Sequence, residues 1–440
     1  MELIDAFHRM EMDEQLFNIG KDIGIPIWDI MRYKVYIKYY YPEKERVVLF
    51  ANSKIPYADY IKIISNVIRF MYRILFIKGE NIVLTHSKFY NSSRKLFDKN
   101  ALSIIRELSD NCLILEEHIG KNYEFDCLYD AKFFFRKIRN SVNLPNKYYV
   151  KIEEALVKHL KNNIFSYSEA NKIYNDFISD YKYYNVIFKK KHTKKLFIAT
   201  GNPKAVLLAA NNNHVKTFLL QHASILFDYV EYSYPQQILN DSNILFADIF
   251  LVYGEYWGKN INIPVKKKLT IGSNISCGNK NIISDNSILV VSTIIHGGEL
   301  KALTRELSTL NPEIKIVYKL HSNEYMLYNE YISYFSTSKN VLVLTDQVEV
   351  NKLIALSQLV ILIISSVLYE ALNQNKKVGV YKKLNFDSSF NSNFKNNVYY
   401  FDSAHEILEI LKKSVIANET NFYDPINYSV IKKICSNNFL

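Results

Sequence analysis

Cysteine, proline and glycine are all scarce in this chain of 440 residues, at 4, 9 and 12 copies. Cys112, Cys127, Cys277 and Cys435 are widely scattered and form no CxxC pair. That spacing argues against a disulfide framework or a structural zinc site, and a reducing cytosol is the expected home. So little glycine and proline, with 48% hydrophobic and 22% charged residues, excludes a collagenous, low-complexity or disordered chain. No apolar run reaches the roughly 18–20 residues that span a bilayer. The longest, Leu359 to Ile364, stops at Ser365 and Ser366. The opening Met1-Glu2-Leu3-Ile4-Asp5 has no basic stretch leading into an apolar one, so no secretory signal is expected.

Absent motifs narrow the chemistry further. There is no GxGxxG, no GxSxG, no HExxH and no Asp-x-Asp. The run Gly254-Glu255-Tyr256-Trp257-Gly258-Lys259-Asn260 is one residue short of a P-loop and lacks its terminal hydroxyl. A nucleotide or phosphate site must therefore use backbone amides, hydroxyls, His or Lys rather than a metal clamp. Neither a metal nor another cofactor is expected.

What is present is cationic and periodic. Lys plus Arg exceeds Asp plus Glu by 11, a balance that favours polyanionic partners. Tyr60 to Lys78 reads as a basic amphipathic helix, and Phe188 to Lys195 is a cationic run. Each is either a solvated face or an attachment to the anionic inner face of the plasma membrane. No nucleic-acid-binding signature accompanies the charge, so nucleic acid is not an expected partner.

The length suits two domains. Helices are expected within residues 1–45, bounded by Pro26 and Pro42, and strands at Val47–Ala51, Asn81–His86 and Cys112–Glu116. The region from about 125 to 190 reads as helical, without evident chemistry. From Lys195, LFIAT, GNP, KAVLLAANNN and VKTFLLQH give strand, turn, helix and strand, the rhythm of a parallel sheet. From Ser287, the strands ILVVST, IKIVYKLH, VLVLTD, LVILII and KVGVYK alternate with helical stretches in the same way. Lys268 to Asp285 reads as a linker. The expected division is 1–270, 271–422 and a C-terminal helix in 423–440 that returns to the first half.

Three segments carry candidate chemistry. Ser365 and Ser366 end a buried strand and open a helix, where hydroxyls and backbone amides suit a phosphate. Glu370, one turn on, suits a ribose or base donor. A plain Ser N-cap followed by a helix glutamate gives the same pattern. Lys319-Leu320-His321-Ser322-Asn323-Glu324 closes another strand, at the end where open α/β sheets bind ligands. There His321 either meets a phosphate or caps the next helix. Gln221-His222 ends a strand of the first half, ahead of Asp228 and Glu231. A His with nearby carboxylates suits a general base, although a satisfied, half-buried His fits equally.

The KLH strand end and the Ser-Ser helix start resemble the HP and SS motifs of bacterial sialyltransferases and Kdo transferases. They also resemble the capsule-polysaccharide and CDP-glycerol polymer transferases of the GT-B fold. The stretch LLQHASILFDYVEYSYPQ, followed by ADIFLVYGEYWGK and LTIGSN, is similar to the QHG-type region of such proteins. The likeness covers roughly residues 195–385. The family Pro after His is Ser322 here, and the Gly after Gln-His is Ala223.

The resemblance implies an α/β GT-B chain, two Rossmann-like domains facing a central cleft. Its activity would be metal-independent glycosyl transfer from a nucleotide sugar to a glycan or lipid-linked glycan of capsule or lipopolysaccharide. His321, Ser365 and Ser366 would hold the donor, with Glu324, Glu370, Lys319 and Ser292 beside them. His222, then Glu231 or Asp228, would serve catalysis, and Gln221 would lie on the acceptor side. A CMP-activated acidic sugar is the favoured donor. A CDP-linked polyol-phosphate transferase, or a non-catalytic nucleotide- or glycan-binding partner of a membrane assembly, would carry the same motifs. The expected location is cytoplasmic, peripheral on the inner membrane face.

Overall fold

The structure is a computed structural model. It describes residues 2–40, 72 and 80–436, except 88, 91–92, 110, 118–122, 133–134, 137–140, 162–163, 223, 226–228, 242, 274–286, 294–295, 364, 383–395 and 418–419. The expected strand Val47–Ala51, the basic helix Tyr60–Lys78 and most of the expected linker lie outside the described residues.

The chain divides into two units. Unit 1 takes Met1–Val252, Asn260–Ile271 and Asn427–Leu440; unit 2 takes Tyr253–Lys259 and Gly272–Ile426. Unit 1 opens with helices α1 (Glu2–Asp13) and α2 (Ile27–Tyr40). Then come β1 (Asn81–Thr85), the short pair β2 (Phe89–Tyr90) and β3 (Leu96–Phe97), α3 (Leu102–Leu108), β4 (Cys112–Glu116) and β5 (Leu128–Tyr129). Two long helices, α4 (Asn146–Leu160) and α5 (Tyr167–Lys191), precede β6 (Lys195–Ile198), α6 (Lys204–Asn212), β7 (Lys216–Leu220) and β8 (Ile249–Val252). After helix α7 (Glu255–Asn260), which falls in unit 2 up to Lys259, the chain returns to unit 1 with strand β9 (Lys267–Thr270), so Lys268 belongs to a strand rather than to a linker.

Seven of these strands make one parallel sheet in the order β5-β4-β1-β6-β7-β8-β9. Strand β1 and the body of β7 are buried, as a sheet covered on both faces requires. A capping box starts α5. Ser166 accepts from the Glu169 amide, and the Glu169 carboxylate accepts from the Ser166 amide.

The two N-terminal helices are tied to the sheet by buried charge. Arg32 donates to both carboxylate oxygens of Glu11, at 2.8 and 3.0 Å, and to the carbonyls of Val230 and Ser233. Trp28 donates to the same Glu11 carboxylate at 2.7 Å. Asp29 accepts from Tyr234 Oη and the Leu245 amide, and pairs with Lys204 at 3.0 Å. Each of these charged groups has a partner of opposite sign and further hydrogen bonds, the condition under which buried charge is tolerated. The effect is to fix the segment 230–234 that follows β7.

Unit 2 runs β10 (Ser287–Val291), α8 (Gly297–Leu310), β11 (Lys315–Lys319), α9 (Tyr328–Tyr334), β12 (Val341–Leu344), α10 (Val350–Leu356), β13 (Ser357–Leu362), α11 (Val367–Asn373), β14 (Lys377–Tyr381), β15 (Val398–Phe401) and α12 (Ala404–Lys412). Its six parallel strands are ordered β12-β11-β10-β13-β14-β15. The final helix α13 (Tyr428–Cys435) packs on α3 of unit 1, where Lys195 Nζ donates to the Ile434 carbonyl at 2.9 Å and to that of Ser436.

Both sheets follow the doubly wound order in which three strands step one way from a central strand and the rest step the other. The reversal falls between β1 and β6 in unit 1 and between β10 and β13 in unit 2. Two Rossmann-like parallel sheets in one chain are the plan of the GT-B fold. Among the described residues no helix is long and apolar enough to cross a membrane.

Candidate functional site

In unit 2 the strand order brings together residues that are distant in sequence. Strands β11, β10 and β13 are neighbours, so the residues just past their carboxyl ends form one row: His321, Ser292, and Ser365 with Ser366. The row straddles the β10/β13 reversal, where open α/β sheets bind their ligands. His321 and Ser366 are exposed and Ser365 is half-buried.

Ser365 Oγ accepts from the Val367 amide at 3.2 Å and so caps α11, which leaves its hydroxyl proton to donate. Ser366, by contrast, makes no side-chain cap bond. Behind α11, Trp257 stacks edge-on to Tyr369 at 4.9 Å and donates from Nε1 to the Phe422 carbonyl at 2.7 Å. The P-loop-like segment 254–260 thus supplies packing: a Cβ on Gly254 would come within 2.5 Å of the Phe422 carbonyl oxygen.

Glu324 is not a surface group of this row. It is buried, and its carboxylate accepts from Ser292 Oγ at 3.0 Å, Tyr331 Oη at 2.7 Å and the His321 amide at 3.1 Å. Its chemistry is to clamp the ends of β10 and β11 together and fix the backbone at His321. Burial and the bond to Glu324 push the Tyr331 hydroxyl up to about 12. Ser292, buried beside Tyr318 and Glu324, belongs to the same clamp. Close packing explains Gly297: a Cβ there would lie 2.5 Å from Glu324 Oε1 and 2.6 Å from Tyr331 Oη. Lys319 is buried against Tyr325, and desolvation lowers its ammonium below the ordinary value. Glu370 is 8% exposed, on the buried first turn of α11. The residues of this row that solvent reaches are therefore His321, Ser365 and Ser366.

In unit 1, Gln221 and His222 follow β7. Gln221 is buried with its amide bonded to the Leu251 carbonyl, and His222 is half-buried. The ring contact is with Tyr232, whose hydroxyl lies 3.3 Å from His222 Nδ1. Glu231 is half-buried next to the network of the N-terminal helices. Burial pushes its carboxyl above the ordinary value, against the Tyr229 hydrogen bond and the Lys204 and Arg32 charges. Asp228 and Ala223 lie outside the described residues.

Three comparisons with known proteins add little beyond this geometry. No family model matches the chain, and no curated protein does. Similar solved structures include the UDP-GlcNAc 2-epimerase of Methanocaldococcus jannaschii in complex with UDP-GlcNAc and UDP, at 12% identity, TM-score 0.45, covering 80% of this chain and 97% of that one. A glycosyltransferase from Rickettsia africae ESF-5 has 12% identity and TM-score 0.40, covering 83% and 95%. A mutant of Staphylococcus aureus TarM in complex with fondaparinux, alpha-GlcNAc-glycerol and UDP has 12% identity and TM-score 0.42, covering 80% and 95%. Likeness at this level carries no argument about activity, and the fold rests on the strand orders above.

Sequence reasoning missed a second polar cluster in unit 1. His86 follows β1 and Glu117 follows β4, and the Thr85–Glu116 register sets the two side by side. His86 Nδ1 lies 3.7 Å from Glu117 Oε2, and Glu117 is paired with Lys132. Burial raises the Glu117 carboxyl, but the His86 bond and the Lys132 charge outweigh it and hold it below its ordinary value. The neighbouring Glu116 is buried and fully used by Thr85 Oγ1, the Ser87 amide and Ser87 Oγ. Past β6, Thr200 Oγ1 and both polar atoms of Asn202 are buried without a hydrogen-bond partner among the described residues. The available signal was Thr-His-Ser directly after an apolar strand, which reads as a strand end and no more.

Proposed function

We propose that the chain is a glycosyltransferase whose unit 2 binds a nucleotide sugar and whose unit 1 serves the acceptor. The observation that carries this reading is the row His321, Ser292, Ser365 and Ser366 across the strand reversal of unit 2. An exposed imidazole and two hydroxyls at that edge suit phosphate oxygens, with no carboxylate of the row left to repel them, since Glu324 is internally consumed. Lys319 adds positive charge from below. The acceptor would be a glycan or lipid-linked glycan of the cell surface, and His222, assisted by Glu231 or Asp228, is the first nominee for catalysis.

A CMP-linked acidic sugar is the donor implied by the KLH and Ser-Ser motifs. UDP, named in two of the similar structures, belongs in the same test. The test is a thermal-shift screen of CMP, CDP, UDP, GDP and TDP. A nucleotide at 100 times its Kd stabilises by about 2.7 kcal/mol, a shift of a few degrees. One base should stand out, and His321→Ala should reduce its effect. CMP selects the acidic-sugar donor, CDP the polyol-phosphate transferase, and UDP a neutral sugar. Stabilisation without donor turnover selects the binding partner, and a flat response to all five refutes the reading.

A further inference from the structure

We propose that unit 1 carries a ligand site of its own for a phosphomonoester on a hydroxylated body, a sugar phosphate or a nucleoside monophosphate, around Lys216 and His214. The inference stands independently of the transferase reading, since every residue it uses lies in unit 1. The site is a cavity of about 770 Å³. It is bounded by the end of α6, the start of β7, the stretch leading into β8 and residues 264–266 ahead of β9. Those are the amino ends of three adjacent strands, so the cavity lies at the sheet edge opposite to the one that carries Gln221 and His222. Its volume falls within the roughly 300–1,000 Å³ of small-molecule sites and is far more than a bare ion fills.

The charge of the lining sets the ligand class. Asp248 is spent internally: Oδ1 accepts from Lys266 Nζ at 2.6 Å, and Oδ2 accepts from the Thr217 amide and Oγ1 at 3.0 Å each. Asp241 is spent likewise, on Lys21 Nζ at 3.0 Å and on the Asn243 amide and side chain. Burial pushes both carboxyls up, but these bonds outweigh it and hold both below their ordinary value. Lys21, Lys216 and Lys266 thus stand against two carboxylates, and the half-buried Lys216 has none within ion-pair distance among the described residues. His214, exposed and two residues before Lys216, closes α6 at φ 55°. There the Val215 amide returns to the Ala210 carbonyl and the His214 amide to that of Asn211. Glycine is the usual residue at that left-handed position, so an imidazole is kept on the cavity wall at a cost in backbone strain. A lysine and an imidazole suit the dianion of a phosphate ester, which offsets the surplus positive charge. Asn211 and Asn240 are exposed on the same wall with no side-chain hydrogen bond among the described residues, and they offer donors and acceptors to hydroxyl groups. Val215 and Ile244 supply an apolar floor for the body of the ligand.

The experiment is calorimetric titration of the full chain with glucose 1-phosphate, UMP, inorganic phosphate and glucose. It is run on wild type, Lys216→Gln, His214→Gly and Ser365→Ala/Ser366→Ala, with the melting temperature taken on each sample. Wild type should bind one of the two esters at least about tenfold more tightly than inorganic phosphate, and glucose not measurably. The tighter ester tells a sugar phosphate from a nucleotide. Lys216→Gln should weaken that ester by about 10–100-fold, the loss of one charge-assisted hydrogen bond. His214→Gly should weaken it too, with an unchanged or higher melting temperature because glycine relaxes the left-handed position. In the double serine variant of unit 2 the Lys216-dependent binding should persist at the wild-type affinity. Affinity within threefold of wild type in Lys216→Gln overturns the site. So does a loss confined to the double serine variant, which would assign the ester to unit 2. Inorganic phosphate binding as tightly as both esters, or no binding of either ester by wild type, also overturns it.

Discussion

The two units share one strand order and differ in what they place at its carboxyl edge. In unit 2 both acids proposed at the row are buried, with Glu324 consumed by three donors, and what reaches solvent of the proposed residues is an imidazole and two hydroxyls. In unit 1 the acids stay in play: Glu117 is partly exposed beside His86, and Glu231 is half-buried with a raised carboxyl. A row whose own acids are buried suits a phosphate, and an edge that keeps imidazole against carboxylate suits proton transfer. The two doubly wound sheets differ at this edge only in their strand-end residues, so the fold does not by itself name a reaction.

The largest expected effect tests the charge buried in unit 1. Arg32→Ala leaves Glu11 buried and unpaired, and removing one member of such a pair costs about 3–5 kcal/mol. Urea denaturation should register that loss in the unit 1 transition. A loss under about 1 kcal/mol would mean that α1 and α2 do not hold the 230–234 segment.

The next effect lies in unit 2. Gly297→Ala forces a methyl group against Glu324 and Tyr331 and should cost about 1–3 kcal/mol. It should also weaken nucleotide binding, because Glu324 fixes the His321 amide. At Gly298, the next residue, a methyl group would meet nothing within 4 Å, so Gly298→Ala should be neutral or gain up to about 1 kcal/mol. Equal effects of the two changes would dissolve the Glu324 clamp.

These contrasts mark where sequence was sufficient. The alternation from Lys195 and from Ser287 is legible because buried parallel strands read as short apolar runs between helices, and LFIAT, ILVVST and LVILII all became strands. The row of unit 2 was legible as three strand ends. What escaped was set by tertiary contact. Nothing around Glu324 distinguishes a ligand-binding carboxylate from one enclosed by Ser292 and Tyr331, which lie 32 and 7 residues away. His86 and Glu117 sit 31 residues apart and meet only through the β1–β4 register. Strands β8, β9 and β15 were missed as well, and β5 (Leu128–Tyr129) lies in the stretch from about 125 that was read as helical. Lys267–Thr270 is an edge strand of mixed polarity, and β15 is only partly buried.

The smallest effect is one of pH. The Glu117 carboxyl is held below its ordinary value of 4.5, so an unfolded chain takes up this proton before the folded one does. Stability linked to Glu117 is therefore complete above 4.5 and lost as the pH falls through the folded value below it. Urea midpoints between pH 6 and 3.5 should fall less steeply in Glu117→Gln than in wild type. Parallel curves would mean that the His86 and Lys132 contacts do not act on the carboxylate.

The division of labour is tested most directly by titrating the stabilising nucleotide against wild type, Ser365→Ala/Ser366→Ala and His222→Ala. Affinity should fall at least about tenfold, the equivalent of 1.4 kcal/mol, in the double serine variant and stay at the wild-type value in His222→Ala. Undiminished affinity in the serine variant, with a loss in His222→Ala, would place the nucleotide on unit 1 and contradict the assignment.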